Sequence, residues 1–319
     1  MKLSDIGEFG LIDRLIEVIG PGSRDLVVGP GDDAAVWRAG GQLVIATTDT
    51  MVDGVHFQCD KVRWRDLGWK ALAVNVSDIA AMGGTPEAAL VTLCLPSDLE
   101  VAAVDEMYEG MRECASEYGL VIAGGDVVRS PTIALTVAVL GTGEERDGVP
   151  VLLLRSGAKV GDMVAVTGTL GDSAGGLRRM MDRVGEDDAL VRRHMRPEPR
   201  VTEGREAAAA GVRCGIDVSD GLLQDLSHVC DASGLGAAVR AEDVPLSEEL
   251  KLAYPDEALE MACTGGEDYE LLLVGERGKM EGLPVTVIGE IVDGSGVRLV
   301  DGDGREITFA HKGWDAFRS

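Results

Sequence analysis

Bases are scarce in this chain. Thirty Lys and Arg stand against 55 Asp and Glu, for a formal net charge of −25. A nucleic-acid partner requires a basic stripe that displaces counterions from phosphates. Here the bases gather only in short pairs such as Arg178-Arg179 and Arg192-Arg193. An anionic membrane surface is disfavoured for the same reason. Long hydrophobic runs are also missing, and none approaches the ~18 residues of a membrane span. The first ten residues, MKLSDIGEFG, set acids where a secretory signal needs an apolar centre, so a cytoplasmic protein is expected. Six cysteines, at 59, 94, 114, 214, 230 and 263, form no C-x-x-C pair, which argues against zinc and a disulfide framework. Cys94 and Cys114 fall in apolar periodic stretches and are expected as buried thiols. No G-x-x-x-x-G-K-S/T segment occurs, so a P-loop nucleotide site is disfavoured.

What is present is enough chain, 319 residues, for two domains at ~150 residues each. Leu11, Ile12, Leu15, Ile16 and Ile19 predict a helix over 4–19. A second helix is predicted over 65–82. A third follows a capping box formed by Ser97 and Glu100, with Val101, Val104, Tyr108, Met111 and Ala115 as its stripe. Strands are expected over 43–46, 89–95, 120–123, 132–140, 163–167, 216–219, 270–274 and 285–288. An alanine-rich helix is expected over 202–210. Strands and helices mix in both halves, so the class is α/β or α+β. The Gly-rich, charged stretch 141–149 is the candidate boundary. It divides the chain into domains 1–145 and 146–319.

Carboxylates recur on glycine-rich or strand-end loops: Gly31-Asp32-Asp33, Thr47-Thr48-Asp49, Gly124-Gly125-Asp126 and Asp217-Val218-Ser219-Asp220-Gly221. Asp78 joins them from a helix, three residues after Asn75 and on the same face. Two carboxylates ~4 Å apart repel by about 4 kcal/mol at an effective dielectric of ~20. A convergent set therefore needs cations, and hard oxygen donors select Mg²⁺ or Ca²⁺. Such cations also let an acidic protein bind phosphates, and the hydroxyls of Thr47, Thr48 and Ser219 suit the same purpose. Taken singly, each Gly-Asp loop is explained by turn geometry. The glycines at 168 and 171, between a strand and a helix, fit tight packing as well as a phosphate. His56 lies near the Asp49 loop and is either structural or a ligand contact. Trp314 is either a stacking platform or a core aromatic. Glu267, in a Gly-Gly-Glu-Asp turn, is either a turn residue or a substrate contact.

The order of these segments carries more than any one of them. GDDAA at 31–35, TTD at 47–49, DGVHF at 53–57, GWKA at 68–71, NVSDIAAMGG at 75–84, GGD at 124–126, RSGA at 155–158, IDVSDGL at 216–222 and GEDYEL at 266–271 together resemble the thiamine-monophosphate kinases of the PurM-like ATP-binding superfamily. The resemblance spans nearly the whole chain. It implies transfer of the γ-phosphoryl of ATP to thiamine monophosphate, giving thiamine diphosphate, with several Mg²⁺ ions. It places metal ligands at Asp33, Thr47, Thr48, Asp49, Asp78, Asp126, Asp217 and Asp220. It places ATP contacts at Tyr108, Gly125, Asp126, Arg155 and Ser219, and substrate contacts at His56, Glu267 and Trp314. The fold it implies is a two-domain PurM-like one. Its N-terminal mixed-sheet domain pairs with a second copy into a dimeric barrel, and a C-terminal α/β domain follows. The acceptor is already an anionic phosphate, so no protein nucleophile or strong base is required. Alternatives are another enzyme of the superfamily, such as an aminoimidazole-ribotide synthetase, or a magnesium–nucleotide-binding protein without turnover. A selenophosphate synthetase is disfavoured because no cysteine precedes Cys59. A hydrogenase-maturation relative is disfavoured because residues 313–319 carry none.

Overall fold

The computed structural model describes residues 3–20, 25–182, 188–311 and 313. The first half holds helix α1 (Leu3–Ile19), strands β1 (Leu26–Val28), β2 (Ala35–Ala39) and β3 (Gln42–Val52), and helix α2 (Trp64–Ala81). Then follow β4 (Thr85–Leu95), α3 (Val101–Tyr118), β5 (Val121–Arg129), β6 (Ala134–Arg146) and β7 (Val149–Val151). The strands make one sheet in the order β1-β2-β3-β6-β4-β5, with β7 on β6. Only β4 and β5 run parallel. Alternation with a period of two turns one face of each strand inward. Leu43 and Ile45 of β3, Val91 and Leu93 of β4, and Leu135, Val137 and Val139 of β6 meet Leu67, Leu72, Val76 and Ile79 of α2 there.

The second half runs β8 (Met163–Val166), α4 (Asp172–Met181), α5 (Ala189–Met195), α6 (Val201–Ala210), β9 (Cys214–Asp217), α7 (Leu222–Ser233) and β10 (Gly236–Arg240). It continues with α8 (Glu248–Ala253), α9 (Ala258–Thr264), β11 (Leu271–Gly275), α10 (Arg277–Met280), β12 (Thr286–Val292), β13 (Gly296–Val300) and β14 (Glu306–Ile307). Its sheet has the order β14-β13-β10-β12-β8-β11-β9. Val164, Val166, Ile216 and Leu272 pack against Leu222, Leu226 and Val229 of α7. The result is the mixed α/β architecture that the patterning predicts.

Helix α2 lies at the centre of the molecule and is almost wholly buried. Its flank meets α3 without side chains between the backbones. A Cβ added at Gly110 would lie 1.7 Å from the Arg65 carbonyl oxygen, and one at Gly68 would lie 1.9 Å from that of Met107. Its end packs, through Ala80 and Ala81, on Ala207 and Ala208 of α6 and Leu271 and Leu273 of β11. One helix thus touches both sheets' layers.

Four local expectations change. Thr47, Thr48 and Asp49 lie inside β3, because the ladder to Val139, Ala138 and Val137 of β6 continues through them. Gly124, Gly125 and Asp126 likewise lie inside β5, paired with Leu90, Val91 and Thr92. A Cβ at Gly125 would sit 1.7 Å from the Val91 carbonyl oxygen, so glycine there serves a close strand approach rather than a turn. The Ser97–Glu100 capping box does not form. Glu100 is itself the N-cap, with no side-chain hydrogen bond, and the buried face of α3 is Ala103, Met107, Gly110, Met111, Cys114 and Ala115. The helix expected over 4–19 does form as α1, with Ile12, Leu15 and Ile19 open to solvent. Cys114 is buried as expected, while Cys94 is half-buried.

Candidate active site

The site starts from two neighbouring residues of the 31–33 loop. The Asp33 side chain is buried, and its Oδ1 accepts a hydrogen bond from Arg155 Nε at 3.0 Å and another from Nη2. Asp32 Oδ1 accepts the Arg155 backbone N–H at 3.0 Å. Asp33 Oδ2 is buried with no hydrogen-bond partner among the described residues.

Strand β3 and helix α2 add the next layer. Thr47 Oγ1 donates to Asp78 Oδ2 at 2.5 Å, and the Asp49 N–H donates to Asn75 Oδ1 at 3.0 Å. Thr48 Oγ1 donates to the Val137 carbonyl at 3.1 Å. From the second sheet, Asp217 ends β9 and accepts from Ser77 Oγ at 2.5 Å. Residues 140 positions apart thereby close the site across α2.

These carboxylates crowd one another. Burial, then the charges of Asp49, Asp217 and Asp33, push the Asp78 carboxyl well above its ordinary range. Burial and Asp33 push Asp217 up to about 8, and the same two causes push Asp32 up to about 6. Burial raises Asp33 against the pull of Arg155. Carboxylates raised by burial and mutual repulsion, plus one buried oxygen without a partner among the described residues, form a hard-oxygen donor set suited to a divalent cation.

Asp33, Thr47, Thr48, Asp49, Asp78, Arg155, Asp217, Ser219, Asp220, His56 and Glu267 all line one cleft of about 1310 Å³. His56 sits at its mouth, its Nδ1 accepting the Val52 N–H at 3.1 Å. Tyr108, Gly125 and Asp126 do not line the cleft. They lie on α3 and β5, where Asp126 is exposed and accepts the Val127 N–H at 2.9 Å. Trp314 lies outside the described residues.

Residues 31–144 match the N-terminal domain of AIR synthase related proteins, and residues 159–302 match the C-terminal domain. The thiamine-monophosphate kinase of Aquifex aeolicus (strain VF5) is 36% identical over 99% of this chain and 100% of its own length. That of Escherichia coli (strain K12) is 38% identical over 98% of each. This chain belongs to the thiamine-monophosphate kinase family. Among solved structures, AaThiL complexed with AMPPCP and TMP superposes with a TM-score of 0.88 at 36% identity, over 99% of this chain and 98% of that one.

Several residues in or behind the cleft escaped the sequence reading. Asp225, buried in the first turn of α7, accepts the N–H groups of Ser219, Asp220 and Gly221 on one oxygen at 3.0–3.1 Å. It fixes the loop from which Ser219 and Asp220 line the cleft. A carboxylate within a turn of IDVSDGL was the available signal. Lys70 and His194 also line the cleft, both buried. Lys70 was visible in the GWKA segment as a charge set between Trp69 and the apolar run 71–74. His194, from a different element, gave no local signal.

Proposed function

We propose that this chain transfers the γ-phosphoryl group of ATP to the phosphate of thiamine monophosphate, forming thiamine diphosphate. The observation that carries the reading is the convergence of Asp33, Thr47, Asp49, Asp78 and Asp217 at one end of a single cleft, in a chain of this family. A relative solved with AMPPCP and TMP supports both ligands.

Mg²⁺ fits the donor set, with Asp33, Thr47, Thr48, Asp49, Asp78, Asp217 and Asp220 as its holders from one chain. Bound there, the ions would neutralise phosphate charge. The chain's own residues do the remainder. Arg155, anchored by Asp32 and Asp33, offers a fixed cation to the nucleotide. Ser219 and its loop, held by Asp225, line the nucleotide side. His56 and Glu267 orient the second substrate, and Trp314 completes its recognition. Catalysis rests on alignment and charge compensation rather than on a protein base.

A homodimer belongs to the same proposal. Strand β5 is one edge of the first sheet among the described residues, and Val121, Val127 and Val128 on it are exposed. A second copy seated there would form a shared barrel and bring Tyr108, Gly125 and Asp126 to a cleft. We assign the division of labour to domains 1–145 and 146–319, with a cytoplasmic location. The test is direct: purified chain, ATP, Mg²⁺ and thiamine monophosphate should yield thiamine diphosphate, and Asp49→Asn should yield none while keeping its circular dichroism. ATP bound without product would defeat the kinase reading in favour of a binding protein.

A further inference from the structure

The cleft wall contains a cation that phosphoryl transfer does not use. Lys70, on α2, is 1% exposed. Its Nζ lies 3.1 Å from Glu267 Oε2 and 3.4 Å from His194 Nε2. An ammonium only donates, so Nε2 of His194 accepts and the imidazole proton sits on Nδ1. From there it reaches Ser173 Oγ at 2.9 Å, while Glu267 stands 3.6 Å away. Burial, then the adjacent Lys70 charge, push His194 down to about 3, so the ring is neutral. Lys70 is therefore the cation that faces Glu267 directly. Burial opposes the Glu267 charge, yet its neighbours, Lys70 first among them, together hold the carboxyl below its ordinary range.

The backbone around Glu267 is equally constrained. Glu267 and Tyr269 both adopt left-handed φ, +67° and +53°, a backbone region that side-chain-bearing residues disfavour. Hydrogen bonds from the Glu267 N–H to the Ser219 carbonyl at 2.7 Å, and from the Tyr269 N–H to Val218 at 2.9 Å, hold that conformation. Asp268 between them accepts the N–H groups of Gly171 and Ser173. Strain held this firmly, and a lysine buried at this desolvation penalty, mark a site that fixes one group in place. The group is the Glu267 carboxylate. Its Oε2 faces Lys70, and its Oε1 accepts no hydrogen bond from the described residues.

We infer that Lys70 is a positioning and specificity residue: by fixing Glu267 as an ionised acceptor at the cleft wall, it makes the chain select a substrate ring bearing an amino group over the same ring bearing a carbonyl oxygen. The inference rests on the kinase reading above. A carboxylate can only accept, so an amino N–H is matched and a carbonyl oxygen is repelled. Sites built to pair a substrate N–H discriminate strongly against analogues that lack it.

The test compares thiamine monophosphate with its analogue in which the pyrimidine amino group is replaced by oxygen, in wild type, Lys70→Met, Glu267→Gln and the double variant. Lys70→Met should raise KM for thiamine monophosphate by about ten- to a hundredfold, leave KM for ATP unchanged and narrow the preference over the analogue. The double variant should match Glu267→Gln alone in both readings, because Lys70 acts through Glu267. A Lys70→Met enzyme that melts lower yet keeps its KM and preference overturns the inference. So does a double variant worse than Glu267→Gln, which is the deciding comparison if Lys70→Met does not fold. Failure of the kinase reading shows separately, as absence of thiamine diphosphate with the unmutated chain, and removes this inference with it.

Discussion

At the residue scale the site is a set of acids held closer than their charges favour. The sign of the consequence follows from linkage. Asp217 and Asp32, raised to about 8 and about 6 from 3.8, keep protons in the folded chain at pH values where the unfolded chain has lost them. A raised carboxyl therefore contributes stability at low pH that is lost as pH rises through its folded value. The metal-free chain should melt lower at about pH 8.5 than at about pH 6. Added Mg²⁺ competes with those protons, so its stabilising effect should be larger at the higher pH. Thermal melts with and without Mg²⁺ at both pH values check this, and equal shifts would sink the donor-set assignment. Asp33, Asp49, Asp78 and Asp217 were legible in the sequence because carboxylates beside glycines and hydroxyls repeat there in recognisable segments. The Lys70–Glu267 and Ser77–Asp217 pairs were not. Each joins residues well over a hundred positions apart, and no local pattern encodes which distant partner a buried polar group will meet.

At the element scale, α2 positions the chemistry. It carries Lys70 and Asp78 to the cleft and sets Asn75 and Ser77 behind it on Asp49 and Asp217, so its placement sets four contacts at once. Its placement depends on α3 approaching backbone to backbone at Gly110 and Gly68. Alanine at position 110 gains helix propensity of about 1 kcal/mol, but its methyl would overlap the Arg65 carbonyl. Overpacking of this kind costs about 1–3 kcal/mol, and rigid backbone on the far side puts the steric loss in control. Gly110→Ala should lower the melting temperature and weaken turnover together, because α2 shifts with its neighbour. A variant as stable and active as wild type would show that the two helices part freely. The helix itself was readable from its apolar run. Its glycine contacts were not, since a glycine within a helix reads as a weakness until the partner backbone is seen. Thr47–Asp49 and Gly124–Asp126 were misplaced in loops for a related reason. Short polar and glycine-rich runs mimic turns unless the neighbouring strand that pairs with them is known.

At the scale of the whole molecule, composition and element order gave the α/β class, but the two strand orders depend on pairings between distant segments and were beyond reach. The same long-range topology leaves β5 as an edge with an apolar face. An exposed edge strand is a template for pairing, which charged or covered edges normally prevent. Here Val127 is 69% exposed and Val121 62%, on a chain otherwise rich in surface acid. Three proposed nucleotide residues, Tyr108, Gly125 and Asp126, stand on this side and away from the cleft of their own chain. A monomer would leave both facts without use, whereas a second copy on β5 accounts for both. Val127→Glu places a charge on the edge without touching the core. In sedimentation it should shift the chain from dimer to monomer. Its melting curve should stay cooperative, and KM for ATP should rise far more than KM for thiamine monophosphate. A wild-type chain that sediments as a monomer with full turnover would refute the shared barrel, and would require Asp126 to be removed from the metal and nucleotide set.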